Sequence, residues 1–518
     1  MFRFNNPDAL LTLLLVAGAY CVVRAAEKGS TRWLLLAGSA IGFGFLAKML
    51  QALLVVPAFG LVYLVAAPVS VRRRIAQLAG ALVAMVASAG WWVAIVDLWP
   101  ASSRPYIGGS TNNTALDLAL GYNGLGRLFG GTGNGGGGGG AGGAGNSGFG
   151  GATGITRMFG DSFGTQVSWL LPAALIGLLG GLWLTRRAPR TDRTRAALML
   201  WGGWVVVTAL VFSYMKGTIH PYYSIALAPG IAGLLAVSAA ALWRARATVI
   251  ARGTLALMTA TSGAWAYVLL GRTPSWHPEL RFGAVVLAAL ATAALLIPAQ
   301  RIAKAAAVVA TVAVLAGAAA PAAYALNTAA TAHTGSIPTA GPAVAGGGMF
   351  GGQRGGGGQP PAGMGQPPSG TGQAPSGGFG PQGTTGSAPA AGGGVGRADG
   401  GDAVSSAVTT LLKATSTRWA AAAIGSQSAA PLQLASGRPV MSIGGFNGGD
   451  PAPTLAQFQA YVAAGQVRYF VGGGNGGFGG GRGGDGSGSA SQISSWVQST
   501  FTSVTVGGQT VYDLTQRA

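Results

Sequence analysis

The residues best suited to chemistry in this sequence are a few charged and aromatic side chains at the ends of hydrophobic stretches. Acidic residues are scarce, with 12 Asp and Glu against 32 Lys and Arg. Asp8 begins a long hydrophobic stretch directly after Asn5-Asn6-Pro7. A carboxylate there could orient a polar substrate at a membrane-facing site. The structural alternative is a helix start, because Pro7 suits the first turn and an acid near the N-terminus interacts favourably with the helix dipole.

A second candidate group lies in the segment 216–223, which reads Lys-Gly-Thr-Ile-His-Pro-Tyr-Tyr. It places a cation (Lys216), an imidazole (His220) and two phenols (Tyr222 and Tyr223) beside the start of a hydrophobic stretch, and such a cation suits phosphate binding. Lys48, at a turn between two hydrophobic stretches, is a further cation. The structural alternatives are an aromatic interfacial belt for the tyrosines and a snorkelling side chain for Lys48.

The remaining polar residues define no metal or nucleotide site. His220 has no second His, Cys or carboxylate at ligand spacing. The glycine runs match nucleotide-binding patterns only through their low complexity, and there is no P-loop or Ser-His-Asp arrangement. Asp97, Asp117 and Asp161 are interpreted first as solvated residues, and a functional role for each is kept as the alternative. No cofactor is assigned, and dependence on a divalent metal is left open.

The candidate residues must be positioned by about ten hydrophobic stretches between Ala9 and Leu326, most of them long enough to cross a bilayer core of about 30 Å. The chain is 49% hydrophobic and 8% charged, whereas soluble domains carry about 25% charged residues. The sequence therefore predicts an α-helical polytopic membrane protein. Its predicted helices cover residues 9–25, 33–49, 51–68, 75–98, 168–185, 196–215, 222–243, 248–271, 281–298 and 302–325.

Basic residues fall in every second link between these predicted helices. By the positive-inside bias those links face the cytoplasm, which leaves Asp8, Lys48 and the C-terminal tail on the outer face of the cell membrane. The net charge of +20 therefore reflects membrane topology, and binding to nucleic acid is excluded because the other basic residues form no cluster. The cytoplasmic links hold Arg24, Lys28, Arg32, Arg72, Arg73, Arg74, Arg186, Arg187, Arg190, Arg193, Arg195, Arg244, Arg246, Arg252, Arg301 and Lys304.

Glycine-rich segments divide the chain into regions. We predict a transmembrane domain over residues 1–326 with a large outer loop over 99–167, and a Gly/Pro-rich disordered linker over 327–403. Residues 404–518 regain a globular composition and are predicted to form an extracytoplasmic α/β domain. The single cysteine of the chain is Cys21, so that domain has no disulfide.

Local patterns in the tail predict helices that alternate with strands, which indicates a small α/β domain. Helical periodicity covers 403–423, and a second helix over 454–464 is capped by Thr454. The other predicted elements are strands at 439–443 and 467–471, a helix at 493–501, and one or two strands within 503–514.

Five segments resemble a known family. Together they look like the actinobacterial and bacillar branch of the protein mannosyltransferase and aminoarabinose transferase superfamily, whose members are GT-C glycosyltransferases. The resemblance covers nearly the whole chain apart from the glycine-rich insertions. The segments are Asn5–Asp8, Phe43–Lys48, Gly121–Arg127, Lys216–Tyr223 and Ser442–Thr454.

The resemblance implies an integral membrane glycosyltransferase with a GT-C fold. Such an enzyme moves a sugar from a polyprenyl-phosphate donor to a protein or cell-envelope glycan acceptor on the outer face of the membrane. By similarity, Asp8 is the second acidic motif of the catalytic cavity, and Lys48 meets the donor phosphate together with Arg127 or Lys216. The expected cavity lining is His220, Tyr222 and Tyr223, and the expected acceptor or outer-domain motif is Phe446, Asn447 and Asp450.

The sequence departs from the family in one respect. Family members place their principal catalytic aspartate in a first outer loop, upstream of the segment that matches Asp8. This sequence begins at Met1, so we expect it to lack that aspartate, through a mis-set start or because it is a fragment.

Two other functions are kept as alternatives: a non-catalytic membrane anchor that presents the outer domain, and a transporter. A transporter would carry ionisable residues at helix centres or broken helices in paired halves, whereas the charges here lie near helix ends.

Overall fold

The computed structural model describes residues 6–130, 150–331, 338–342, 404–446, 448–472 and 488–517. The predicted glycine run and most of the linker lie outside these ranges. Up to residue 331 the described chain is helical. Its α-helices are α1 (Asp8–Lys28), α2 (Thr31–Lys48), α3 (Leu50–Leu53), α4 (Val56–Ala66), α5 (Val71–Leu98), α6 (Ala115–Leu120), α7 (Gly126–Phe129), α8 (Gly164–Val167), α9 (Leu171–Leu184), α10 (Arg193–Tyr214), α11 (Ala228–Arg244), α12 (Val249–Leu270), α13 (Pro278–Leu296) and α14 (Ala306–Ala330).

Several of these helices are preceded or followed by short 3₁₀ or π turns. 3₁₀ turns cover Arg157–Phe159, Ser168–Leu170, Pro221–Leu227 and Ala303–Ala305, and a π turn covers Gly121–Leu125. Within the described ranges, eight helical segments have the length and apolar composition needed to cross a membrane. The other two predicted crossings correspond to α2 and to the shorter apolar segment Leu50–Ala66. The predicted helices are thus all present, and the chain is a multi-pass membrane protein.

Helix starts at the arginine-rich end are set by short polar side chains. Ser70, Asp192 and Thr248 precede α5, α10 and α12, and each accepts a hydrogen bond from the backbone N–H three residues further on. Such caps satisfy N–H groups that the helix itself leaves unpaired. The arginines that follow therefore emerge from well-defined first turns.

Packing separates a buried face from a lipid-facing face. Leu82, Val83 and Val86 on α5 are more than half exposed, as expected where lipid takes the place of a protein neighbour. Between α2 and α5 the backbones approach closely, because a Cβ added at Gly38 would lie 2.2 Å from the carbonyl oxygen of Ala81. Small residues permit such contact between membrane helices.

The C-terminal region is a five-stranded sheet covered by helices on both faces. The strand order is β2-β1-β3-β5-β4, with β1 parallel to β2 and β3, and with β5 antiparallel to β3 and β4. Ala421 pairs with Val440 and with Tyr469, which makes β1 the central parallel strand. The elements are α15 (Ser406–Lys413), β1 (Trp419–Ile424), α16 (Ser426–Ser436), β2 (Val440–Ile443), α17 (Leu455–Ala463), β3 (Val467–Val471), α18 (Ser489–Thr500), β4 (Phe501–Val506) and β5 (Gln509–Arg517).

One predicted element of this region is wrong. Within the predicted helix 403–423, Ser406–Lys413 are helical but Trp419 begins strand β1, and the following helix α16 was not predicted. The alanines at 420–423 are completely buried, because small side chains let helices approach both faces of the central strand. Burial in the sheet thus overrides the helical propensity of alanine. The cap at Thr454 is confirmed, since its side chain and that of Gln457 form a reciprocal capping box.

Candidate active site

The centre of the candidate site is a buried ion pair between Asp8 and Lys48. The Lys48 ammonium donates to Asp8 Oδ1 and Oδ2 at 2.7 Å each. Asp8 is completely buried, and the Lys48 side chain is 15% exposed. The two residues meet because α1 and α2 form an antiparallel hairpin around Gly29, which adopts a left-handed conformation with φ of 63°. The first turn of α1 therefore lies beside the last turn of α2.

Two tyrosine rings cover this ion pair. The Lys48 ammonium lies 3.9 Å from the ring centroid of Tyr223 and 5.0 Å from that of Tyr222. The two rings are nearly perpendicular, at 87° with centroids 4.8 Å apart. They follow Pro221 in a 3₁₀ turn, so consecutive side chains can both face the lysine. Cation–π contacts of this kind stabilise a partly desolvated ammonium group.

Arg127 brings a second cation to the same place. Its guanidinium lies 4.6 Å from the ring centroid of Tyr122 and 5.9 Å from that of Tyr223. It donates to the carbonyl oxygen of Thr218 at 2.7 Å and to Asn123 Oδ1 at 3.3 Å. The loop that carries Arg127 is thereby attached to the segment before Tyr222 and Tyr223.

Backbone hydrogen bonds reinforce that attachment. The N–H of Gly217 donates to the carbonyl of Arg127, and the N–H of Lys216 donates to the carbonyl of Leu128, both at 3.0 Å. A Cβ at Gly217 would lie 2.5 Å from the carbonyl oxygen of Gly126. Only glycine therefore permits this close pairing of the two segments.

His220 completes the aromatic group. Its ring stacks on Tyr222 with centroids 5.6 Å apart and an interplanar angle of 16°. Burial, reinforced by the nearby positive charges of Arg127 and Lys48, lowers the pKa of His220 to about 4. The imidazole is therefore neutral at physiological pH and adds no third positive charge.

Other predicted site residues lie elsewhere. The Lys216 side chain is exposed, and its residue contributes to the site through its backbone. Phe446 is 59% exposed, and Asp450 accepts a hydrogen bond from the Gly109 N–H at 3.3 Å. Asn447 lies outside the described residues.

The three aspartates that were interpreted as solvated residues make hydrogen bonds or ion pairs. Asp97 accepts from the N–H groups of Ala115 and Leu116 at the start of α6. Asp117 accepts from the backbone and hydroxyl of Thr111. Asp161 pairs with Arg272 at 3.6 Å while remaining almost fully exposed.

Sequence reasoning missed three residues of the site. Gln51 donates from Nε2 to the carbonyl of Tyr223 at 3.3 Å, Tyr122 lies under Arg127, and Asn123 accepts from it. A polar Gln51 at the start of an apolar stretch was a usable signal. Tyr122 and Asn123 lie within the segment 121–127 that carried the family resemblance, but only the fold shows that they contact Arg127.

The electrostatics of the site favour an anionic ligand. One carboxylate faces two cations in a desolvated environment, which leaves one positive charge uncompensated. Arginine and lysine at such a site bind phosphate well. Among the residues that the structure describes, no group of three His, Cys, Asp or Glu side chains is placed to hold a metal ion.

Comparison with known proteins links both ends of the chain to mannosyltransferases. Residues 1–93 match the family model of dolichyl-phosphate-mannose-protein mannosyltransferases. Residues 408–500 match the C-terminal family model of YkcB-like putative mannosyltransferases. No solved structure matches the chain.

Two curated relatives come from Bacillus subtilis (strain 168). The chain is 29% identical to the putative mannosyltransferase YkcB over 559 aligned positions, which cover 92% of this chain and 72% of that relative. It is 32% identical to the putative mannosyltransferase YycA over 305 positions, which cover 45% of this chain and 44% of that relative. The polytopic helices, the C-terminal α/β sheet and these matches at both ends make the chain similar to protein mannosyltransferases, which are GT-C membrane glycosyltransferases.

Proposed function

We propose that this protein transfers a sugar from a polyprenyl-phosphate donor to an acceptor on the outer face of the membrane. The observation that carries the proposal is the buried Asp8–Lys48 pair, with Arg127 beside it and Tyr222 and Tyr223 above it. A lipid-linked sugar phosphate presents an anion next to a hydrocarbon chain. A cationic, aromatic-lined group at the ends of membrane helices suits such a molecule.

Lys48 and Arg127 would bind the donor phosphate and stabilise the negative charge that grows on it as the glycosidic bond breaks. The Lys48 ammonium donates to both carboxylate oxygens of Asp8. An entering phosphate competes for that ammonium, and the carboxylate of Asp8 is then available to the acceptor.

The reaction would be a single in-line displacement. The acceptor hydroxyl or amine attacks the anomeric carbon, and its proton passes to a carboxylate, the role assigned to Asp8. The bond between the anomeric carbon and the phosphate oxygen breaks, and polyprenyl phosphate leaves with the electron pair. The acceptor group and the leaving phosphate lie on opposite sides of the carbon, so the configuration inverts.

The test is transfer of radiolabelled sugar from polyprenyl-phosphate donors by purified protein carrying Asp8→Asn. We expect kcat to fall on the order of 10²-fold or more, the usual contribution of a positioned proton acceptor, while the protein retains its elution volume and unfolding temperature. Asp161→Asn, at an exposed carboxylate, is the matched control. Unchanged transfer by a folded Asp8→Asn protein would remove Asp8 from the reaction, and absence of transfer by the unmodified protein would favour the membrane anchor.

A further inference from the structure

The C-terminal sheet region contacts the outer loop of the membrane part through Asp450. Both carboxylate oxygens of Asp450 accept from the backbone N–H of Gly109 at 3.3 Å. Two glycines lie beside the carboxylate and allow the close approach. A Cβ at Gly108 would lie 3.2 Å from Asp450 Oδ2, and a Cβ at Gly445, where φ is +71°, would lie 2.1 Å from it.

The turn that Asp450 holds is internally fixed. The hydroxyl of Ser110 donates to the carbonyl of Ile107 at 2.6 Å, and the N–H of Ile107 donates to Asn113 Oδ1 at 2.7 Å. Arg104 donates to the carbonyls of Asp97 and Trp99 at the end of α5. Gly109 therefore belongs to a turn that hydrogen bonds hold together and tie to the end of α5.

That turn lies directly against the residues that hold Arg127. A Cβ at Gly109, where φ is +80°, would lie 3.1 Å from Leu118 Cδ1 and 3.4 Å from Tyr122 Cδ1. The Tyr122 ring in turn packs on the Arg127 guanidinium, with 4.6 Å to the ring centroid. Asp450 thus bonds Gly109, Gly109 lies within one methyl group of the Tyr122 ring, and Tyr122 packs on Arg127.

The contact is partly desolvated. Burial raises the pKa of Asp450, and the hydrogen bond from Gly109 partly opposes that shift. Burial raises the pKa of the nearby Tyr106 phenol, and the charge of the Asp450 carboxylate adds to that shift.

We propose that Asp450 is a positioning residue for sugar transfer, through which the C-terminal α/β region fixes the loop that presents Arg127 to the donor phosphate. This inference rests on the proposed function, since it assigns Arg127 to the donor. It predicts that the α/β region influences donor binding without touching the donor.

The contact itself is tested independently of activity. Gly108→Cys and Asp450→Cys are combined in a Cys21→Ala background, with a protease site inserted between residues 343 and 402 of the full chain. After oxidation and cleavage, we expect the two fragments to stay joined on a non-reducing gel for the double variant and to separate for each single variant. Separation in the double variant would overturn the contact.

The positioning role is tested by donor binding. We expect Asp450→Ala to raise the donor KM, and the Kd for polyprenyl phosphate alone, by roughly tenfold with a smaller change in kcat. Asp450→Asn keeps an oxygen that can accept from Gly109 and should recover most of the affinity. Asp513→Ala, at a carboxylate of the same region that pairs with Arg468, is the control. An unchanged Kd for polyprenyl phosphate in Asp450→Ala would overturn the role, whereas absence of transfer by the unmodified protein would instead refute the proposed function.

Discussion

A carboxylate buried as completely as Asp8 must have a cation beside it, because an isolated charge of this kind is very costly to desolvate. Lys48 supplies that cation at 2.7 Å. Its position at a helix end is compatible with a snorkelling side chain, but the structure directs the ammonium inward to Asp8. The pair links the ends of α1 and α2 and keeps a charged lysine next to the aromatic rings.

Removing the cation alone should therefore destabilise the protein strongly. We expect Lys48→Met to lower the free energy of unfolding by about 3–5 kcal/mol, the usual effect of breaking a buried pair. The combination of Lys48→Met with Asp8→Asn should recover most of that loss, because no unpaired charge remains, yet it should not restore transfer. Thermal unfolding in detergent measures the first effect. Equal stability of the single and double variants would contradict the prediction.

His220 makes the stability depend on pH. Its pKa is about 4 in the folded protein and about 6.5 in an unfolded chain. Between these values the unfolded state takes up a proton that the folded state does not, so stability falls as the pH is lowered from about 6.5 towards 4. We expect His220→Gln to flatten this part of the unfolding-temperature profile. An unchanged profile in His220→Gln would contradict the prediction.

At the scale of elements, the α2–α5 contact determines where Lys48 lies. A Cβ at Gly38 would meet the Ala81 backbone at 2.2 Å, whereas a Cβ at Gly60 on α4 would meet no other element of the described chain within 4 Å. We expect Gly38→Ala to cost about 1–3 kcal/mol through forced separation of the helices. Gly60→Ala should stabilise by up to about 1 kcal/mol through helix propensity. Similar unfolding temperatures for the two variants would show that the close approach is not needed.

The elements differ in how well the sequence predicted them. The membrane helices were all predicted, because a long apolar run between charged links can cross a bilayer in few conformations other than a helix. The break at 403–423 was missed, since alanine favours a helix locally and only the sheet makes Ala420–Ala423 a strand.

The site residues were predictable where the local sequence is unusual. Asp8, Lys48 and His220 were visible as unusual residues at helix ends. Their contacts with Arg127 and Tyr122 depend on how distant loops pair.

At the scale of the whole molecule, the arginine-rich links and the candidate site lie at opposite ends of the helices. The arginine-rich links follow α1, α4, α9, α11 and α13, whereas Asp8, Lys48, Arg127 and Tyr223 meet at the other ends. Segments that are far apart in sequence reach one place because each helix pair returns the chain to that end. The α/β region contacts the same end through Asp450 and Gly109.

This arrangement predicts the orientation of the protein in the cell membrane. The positive-inside bias places the arginine-rich links in the cytoplasm, so the ion-pair end and the α/β region face outward. In a Cys21→Ala background, we expect a membrane-impermeant thiol reagent to label Ser428→Cys on the α/β region of intact cells. Thr191→Cys, in the exposed link before α10, should be labelled only after the cells are lysed. The opposite pattern would put the transfer site in the cytoplasm, where a donor presented on the outer leaflet cannot reach Lys48 and Arg127, and the outward-facing reaction would have to be abandoned.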